Sequence, residues 1–326
     1  MSEIAPLIEP IRVQLAAQAE QLGLDITRIS VEPILNWGGF INRSFRVSDG
    51  RCTLFLKLTS YPDIKRGLET WRELASPLES RYHAPHMVGW LDLQPTGFCG
   101  PLFEWIEGSV AADMGSAFAA EISSMVRRLH GDADIGARLP GPIRSCAEAY
   151  FRSYHDRFVE DLEFVAADPP PFVGTDRLAW LRHEVGVLEA GVRSSAAFSE
   201  PANRPVHGDM WLNNVLVDRV GHWYLLDWDG LSSSDPVIDW TMLFGPSRDR
   251  PRAAVEEVVL AHTTLSADER QRLSIYARAS QLDWILDPLA DWVQGAHEPE
   301  HGAQVRAANE RIHREALDAY LARFGA

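Results

Sequence analysis

The chain of 326 residues carries 31 lysines and arginines against 46 aspartates and glutamates, so its formal net charge is −15. Hydrophobic residues make up 46% and charged residues 24%, which excludes a disordered or fibrous protein. No apolar run reaches the ~18 residues that a membrane span needs. An acidic chain also lacks the clustered cations that bind nucleic acid. The length predicts two lobes.

The cysteines and the amino terminus favour a cytoplasmic protein. The three cysteines are odd in number and form no CxxC pair, so neither a disulfide framework nor a structural zinc site is expected. The first residues lack the basic and apolar regions of a signal peptide. One HExxH string occurs at 297–301, but Pro299 interrupts it, and we interpret it as a solvated turn.

The predicted elements, in chain order, are a helix that ends at Gly23, then short strands, then mostly helices. The strand-like runs lie at 29–36, 43–48, 52–58, 87–93 and 100–106, with a helix at 64–79. The later helices are predicted at 113–130, 145–166, 176–197, 253–262, 266–294 and 303–324, with strand-like runs at 215–217 and 223–226. This order predicts an α+β protein with a small β-rich front and a large helical back.

Two segments carry the residue types of a metal-dependent active site. In VHGDMWLNNVLV (206–217), Asp209 precedes Asn214 by five positions on a loop that leads into an apolar strand. In WYLLDWDG (223–230), a second strand delivers Asp227. We expect a β-ribbon that brings both acids to one edge. Carboxylate and amide oxygens suit a hard cation, which predicts Mg²⁺.

These motifs resemble the aminoglycoside phosphotransferase/choline kinase family, relatives of the protein kinases. HGDMWLNN is similar to the HGDxxxxN catalytic loop of that family, and LLDWDG resembles its DFG-like element. The resemblance implies a protein-kinase-like two-lobed fold. It implies Asp209 as the catalytic residue, Asn214 and Asp227 as Mg²⁺ ligands, and His207 as a packing residue.

The resemblance extends to a lysine on a strand. In LFLKL, Leu54, Leu56 and Leu58 share one face of the strand, and Phe55 and Lys57 share the other. Lys57 resembles the kinase lysine that pairs with nucleotide phosphates and with a glutamate on the next helix. Glu69 matches the register of the family better, and Glu73, one turn later, is the alternative.

Two further segments resemble nucleotide-binding parts of the family. In NWGGFINRSFRV (36–47), Gly38 and Gly39 let backbone approach a phosphate, and Asn42 follows them. The segment FEWIEG resembles the hinge whose backbone bonds the adenine edge, here at Glu104, Trp105 and Ile106. The implied domains are a nucleotide-binding lobe at 1–106 and a helical lobe with the acceptor site at 107–326.

The implied reaction is transfer of the γ-phosphoryl group of ATP to a hydroxyl of a small molecule. A protein acceptor is disfavoured because only eight residues separate Asp227 from Asp235, which leaves no room for an activation segment. Acids at 156–163 and 283–291 favour a cationic acceptor, such as an aminoglycoside-like antibiotic or an amino alcohol. A sugar or an amino-acid-derived alcohol, and a nucleotide-binding pseudoenzyme, are the alternatives. The sequence leaves ATP or GTP, and monomer or homodimer, open.

Overall fold

The computed structural model describes residues 5–34, 42–111, 115–141, 145–243, 257, 259–295 and 302–324. By its contacts the chain divides into two units: the first comprises 1–129 and 207–232, and the second 130–206 and 233–326. The segments that carry Asp209 and Asp227 therefore fold with the amino-terminal residues. The functional boundary between residues 106 and 107 stays a prediction.

The first unit contains a five-stranded antiparallel sheet. Its strands are β1 (Ser30–Ile34), β2 (Arg43–Ser48), β3 (Thr53–Leu58), β4 (Met87–Leu93) and β5 (Phe98–Glu104), in the order β1-β2-β3-β5-β4. Each strand lies within two residues of its prediction at both ends. The small antiparallel sheet before a mostly helical chain confirms the predicted kinase-like α+β class.

One face of this sheet forms the core of the unit. Leu54, Leu56 and Leu58 are buried there with helix α1 (Ala5–Ala17), which is followed by α2 (Ala19–Leu22). The chain leaves α2 at Gly23, whose φ of 65° is the left-handed conformation expected at a helix end. Because side chains alternate along a strand, Phe55 and Lys57 point to the opposite face, as predicted.

Helix α3 (Pro62–Tyr82) follows β3 directly. Proline at its first position fits a helix start, since the missing N–H has no partner there. Its buried stripe recurs every three or four residues and consists of Leu68, Trp71, Leu74, Leu78 and Tyr82. The helix ends at His83, which is left-handed with φ of 59°.

A second, three-stranded sheet carries the predicted catalytic segments. It is formed by β6 (Gly108–Val110), β8 (Val215–Asp218) and β9 (Trp223–Leu225) in the order β6-β8-β9. Residues 108–110 pair with β8. Val215 lies opposite Leu225, and Leu226 N donates to Asn214 O at 2.7 Å. The ends of β8 and β9 next to Asn214 and Asp227 are therefore adjacent.

The second unit is mostly helical. After α4 (Ser116–His130), at the change of unit, its elements are α5 (Ala133–Gly136), α6 (Cys146–Tyr150), α7 (Asp156–Ala167), α8 (Thr175–Ser194), β7 (Arg204–Val206), β10 (Ser232–Ser234), α9 (Val237–Leu243), α10 (Ala267–Gly295) and α11 (Gly302–Phe324). A π-helical turn at Phe151–His155 joins α6 to α7 and was not predicted. Over the described residues, every helix is too short or too polar to cross a membrane.

Candidate active site

Lys57 on β3 lies between two carboxylates of the LLDWDG segment. Its Nζ is 3.0 Å from Asp227 Oδ1 and 2.9 Å from Asp229 Oδ2, and only 6% of its side chain is exposed. Burial alone would lower the pKa of Lys57, but the charges of Asp227 and Asp229 outweigh burial and raise it. Lys57 is therefore a permanent cation held in place by two anions.

The acids of α3 do not make these contacts. Glu69 and Glu73 are both exposed, whereas Leu68, Trp71 and Leu74 of the same helix are buried. The two ion pairs of Lys57 in the described part of the chain go to Asp227 and Asp229 instead. The structure thus brings Lys57 together with Asp227 and Asp229, and not with the predicted Glu69 or its alternative Glu73.

The backbone around Asp229 is held by close packing. It belongs to a single helical turn, Trp228–Gly230, which packs against α3. A Cβ added to Gly67 of α3 would lie 2.0 Å from Asp229 O, so only glycine permits this approach. Trp228 is fully buried, and its Nε1 donates to Leu225 O at 2.7 Å. These contacts fix the position of Asp229.

The predicted catalytic loop is organised around Asp209. The side-chain nitrogen Nδ2 of Asn214 donates to Asp209 O and to Asp209 Oδ2, each at 2.8 Å. Gly208 supplies the turn with φ of 83°, and a Cβ there would lie 2.7 Å from Gly230 O. The HGD and DWDG segments therefore touch through their backbones, which requires glycine at position 208.

His207 has the structural role that the resemblance implies. It is fully buried, its Nδ1 accepts from Asp209 N at 3.2 Å, and its Nε2 lies 2.9 Å from Leu226 O. One ring nitrogen must accept and the other must donate, which describes a neutral imidazole with its proton on Nε2. Its ring packs edge-on against Trp228 at 4.6 Å. His207 therefore ties the catalytic loop to the strand that precedes Asp227.

Asp209 is electrostatically perturbed. Burial raises its pKa, and the negative charges of Asp227 and Asp229 raise it further, while the hydrogen bond from Asn214 acts in the opposite direction. Three carboxylates and one ammonium group thus occupy the same region. A perturbed carboxyl in such a cluster is typical of a functional site.

Asn214 and Asp227 fit a hard divalent cation. Because the nitrogen of Asn214 is committed to Asp209, its Oδ1 is the atom left to coordinate. Asp227 has φ of 59°, an unusual backbone conformation for a residue other than glycine, and 43% of its side chain is exposed. No group of three or more His, Cys, Asp or Glu side chains in the described ranges forms a metal cluster of its own. Mg²⁺ commonly takes only one or two protein carboxylates and completes its shell with phosphate and water.

The face of the sheet that carries Lys57 continues toward the predicted hinge. Phe55 is half-buried beside Phe103, with ring centroids 6.5 Å apart, and Arg46 lies over the ring of Trp105 at 5.3 Å. Trp105 N donates to Thr53 O at 3.2 Å. Sequence reasoning did not use Phe55 or Arg46, although strand alternation places Phe55 beside Lys57.

Asn42 and the predicted hinge at Glu104 and Ile106 are the other predicted nucleotide contacts among the described residues. Asn42 Oδ1 is buried and accepts no hydrogen bond from the described residues. The backbone N–H of Ile106 donates to no backbone acceptor among them, while Glu104 N donates to His86 O at 3.1 Å. Gly38 and Gly39 lie outside the described residues, and so does the HExxH string.

The second unit holds a separate group of acids on α7 and α10. Arg157 pairs with Asp283 at 2.5 Å and lies 3.6 Å from Asp287. Burial raises the pKa of Asp161 to about 6 and that of Asp291 to about 6, and neighbouring aspartates add to both shifts. This group therefore carries more negative charge than Arg157 neutralises.

Two other acids of the second unit, Asp235 and Asp239, make buried contacts with basic side chains. Asp239 is fully buried and pairs with His130 at 2.9 Å. Asp235 Oδ1 accepts from Val237 N at the start of α9, and its Oδ2 lies 3.0 Å from Arg272 Nε without hydrogen-bond alignment. Each acid thus links separate parts of the second unit.

The kinase-like fold and the grouping of Lys57, Asp209, Asn214 and Asp227 agree with the resemblance to small-molecule kinases. The sequence profile of the phosphotransferase enzyme family matches residues 33–276, which is more than half of the chain. The chain therefore belongs to this family. It is a phosphotransferase that acts on a hydroxyl group of a small molecule.

Solved structures share the fold. Spectinomycin phosphotransferase in complex with ADP and spectinomycin superposes with a TM-score of 0.65 at 15% identity, covering 98% of this chain and 97% of that chain. Macrolide 2′-phosphotransferase from Brachybacterium faecium gives 0.54 at 19% identity, with coverages of 93% and 97%. Choline kinase from Streptococcus pneumoniae gives 0.57 at 16% identity, with coverages of 93% and 98%.

At these identities the likeness establishes the fold alone. No curated protein sequence matches the chain significantly.

Proposed function

We propose that the chain transfers the γ-phosphoryl group of ATP, with Mg²⁺, to a hydroxyl of a small cationic molecule such as an aminoglycoside-like antibiotic or an amino alcohol. The observation that carries this proposal is the group formed by Lys57, Asp209, Asn214, Asp227 and Asp229. Phosphoryl transfer requires mainly positioning and neutralisation of charge, and these residues supply both.

The nucleotide is assigned to the face of the sheet that carries Lys57. Lys57 pairs with the phosphates, and the base extends toward the hinge at Glu104, Trp105 and Ile106. Phe55 lies two residues from Lys57 on this face and can stack on the base. Stacking on an aromatic ring is worth about 1–3 kcal/mol per base. Phe55→Ala should therefore weaken ATP binding by roughly 5- to 150-fold and leave binding of inorganic tripolyphosphate unchanged.

The metal is assigned to Asn214 and Asp227 on charge as well as on ligand type. Asp209, Asp227 and Asp229 carry three negative charges when ionised, and Lys57 neutralises one of them. A divalent cation supplies the two missing charges and, when bound, stabilises the charge that develops on the transferred phosphoryl group. Asn214 would supply Oδ1 as a ligand, while its amide nitrogen keeps Asp209 in place.

Asp209 is assigned to the acceptor. Its Oδ2 is oriented by Asn214, and its carboxylate accepts the proton or the hydrogen bond of the acceptor hydroxyl in the transition state. A raised pKa makes this carboxylate a better proton acceptor than an ordinary aspartate.

The cationic character of the acceptor rests on the acids of the second unit. Asp283 and Asp287 pair with Arg157, which also interacts with the charge of Asp161. Asp291 interacts with Asp161 and Asp287, and the pKa values of Asp161 and Asp291 are raised to about 6. An aminated ligand would relieve this repulsion. The solved relatives named above act on spectinomycin, a macrolide and choline by their names, so the family accommodates different acceptors.

The test is consumption of ATP with Mg²⁺ and a panel of aminoglycosides, macrolides, choline-like amines and neutral sugars. We expect turnover with an aminated acceptor, detection of a phosphate monoester by mass spectrometry, and no turnover with the neutral sugars. Turnover confined to neutral sugars would contradict the cationic acceptor and support a sugar kinase. Tight Mg²⁺–ATP binding without turnover of any acceptor would support a pseudoenzyme.

A further inference from the structure

The two carboxylates that contact Lys57 differ in their surroundings. Asp227 keeps 43% of its side chain exposed, whereas Asp229 exposes 13%. The exposed carboxylate can take a metal ion, but the enclosed one is directed at Lys57. The two acids therefore suit different roles.

The backbone around Asp229 is fixed by close packing on several sides. Its carbonyl oxygen occupies the space beside Gly67, its neighbour Trp228 is fully buried, and Gly230 packs against the carbonyl of His207. The backbone of the turn that carries Asp229 is thus held by α3, by β9 and by the predicted catalytic loop. No comparable framework holds Glu69, which is exposed on α3.

We propose that Asp229, rather than an acid of α3, is the positioning residue for Lys57. This inference rests on the proposed function, because Lys57 is there assigned to the nucleotide phosphates. It makes the placement of Lys57 depend on the same turn that places Asp227. The lysine and the metal ligand would then be set by a single element.

The test is a double-mutant cycle between Lys57→Met and Asp229→Asn, with kcat/KM for ATP and the dissociation constant for ADP without Mg²⁺ as readouts. We expect Asp229→Asn to lower kcat/KM roughly 10- to 100-fold, the range of a lost hydrogen bond to a charged group. If Asp229 acts through Lys57, Asp229→Asn should have no further effect in the Lys57→Met background.

Asp229→Glu, which keeps the charge, should recover part of the loss. Asp92→Asn, an exposed acid on β4 of the same unit, is the matched control and should match the wild type.

The other possible results of the double-mutant cycle would each contradict a specific part of the proposal. An undiminished effect of Asp229→Asn in the Lys57→Met background, together with a higher Mg²⁺ requirement, would make Asp229 a metal ligand and overturn the inference. Coupling of Lys57→Met to Glu69→Gln instead would return the role to α3. If Asp229→Asn does not fold, Asp229→Glu and Asp229→Ser carry the same cycle. A wild type that neither binds ADP nor turns over would overturn the proposed function itself.

Discussion

Replacing Asp209 by asparagine should separate catalysis from stability. The amide oxygen of the new residue can still accept from Asn214 Nδ2, which now lies 2.8 Å from Oδ2, so the loop keeps its hydrogen bond. The carboxylate that we propose as the proton acceptor for the acceptor hydroxyl is lost. General-base catalysis contributes about 10²- to 10⁴-fold to rate, so kcat should fall by that factor, equivalent to about 3–5 kcal/mol of transition-state stabilisation.

The same substitution should raise thermal stability. Burial and the charges of Asp227 and Asp229 raise the pKa of Asp209, so its ionised form is costly in the folded state. Because the folded protein binds this proton more tightly than the unfolded chain, wild-type stability falls as pH rises through the raised pKa. Asp209→Asn lacks this cost, and its advantage in Tm should be large at pH 8 and small at pH 4.

The assay pairs steady-state kinetics with thermal unfolding at both pH values. Binding of ADP, measured by calorimetry, should be retained, because Asp209 is assigned to the acceptor and not to the nucleotide. Turnover within tenfold of the wild type would refute the catalytic assignment. A lower Tm at pH 8 would refute the electrostatic reasoning even if turnover were lost.

Two further substitutions test the packing and the second unit. Gly67→Ala should destabilise the protein by about 1–3 kcal/mol, because the new Cβ would meet Asp229 O. The control Gly186→Ala, whose new Cβ would have no atom within 4 Å, should stabilise the protein by about 0.5–1 kcal/mol. Equal changes in Tm for the two variants would contradict the close contact at Gly67. Asp291→Asn should stabilise the protein by about 1–2 kcal/mol at pH 8 and by little at pH 4, because the pKa of the wild-type carboxyl is raised to about 6. Partial screening by water keeps this gain small. The exposed Glu163→Gln on α7 is its control, and an equal gain from it would indicate general charge relief.

The strands and most helices could be predicted because their periodicity is local. The catalytic motifs were also readable, since a loop and a strand fix the spacing of Asp209, Asn214 and Asp227. The partner of Lys57 could not be predicted from the sequence, because it depends on how α3 packs against the turn at Trp228–Gly230. The apolar stripe of that helix held a usable signal: it places Leu68 and Trp71 inward, so Glu69 lies off the buried face.

Asp229 and the π-helical turn show two other limits. The second acid of DWDG was visible in the sequence, but its role depends on the approach that Gly67 allows. No short-range pattern reports that a distant carbonyl oxygen would lie 2.0 Å from a Cβ at position 67. The turn at Phe151–His155 adds one residue to a helical repeat, and the periodicity on both sides continues. A continuous helix over 145–166 was therefore the natural prediction.

Each unit concentrates acidic side chains around a basic residue. A chain with net charge −15 could spread its acids over a hydrated surface, where isolated carboxylates repel weakly. Instead, Asp227 and Asp229 pair with Lys57 and repel the charge of Asp209, while Asp283 and Asp287 pair with Arg157 and repel the charges of neighbouring acids. Concentrated carboxylates lower the stability of the folded state unless a cation joins them. The first group offers oxygen ligands for a divalent ion, while the second already contains a guanidinium group. In the proposed function, the first group would hold the metal and the second would receive the organic amine.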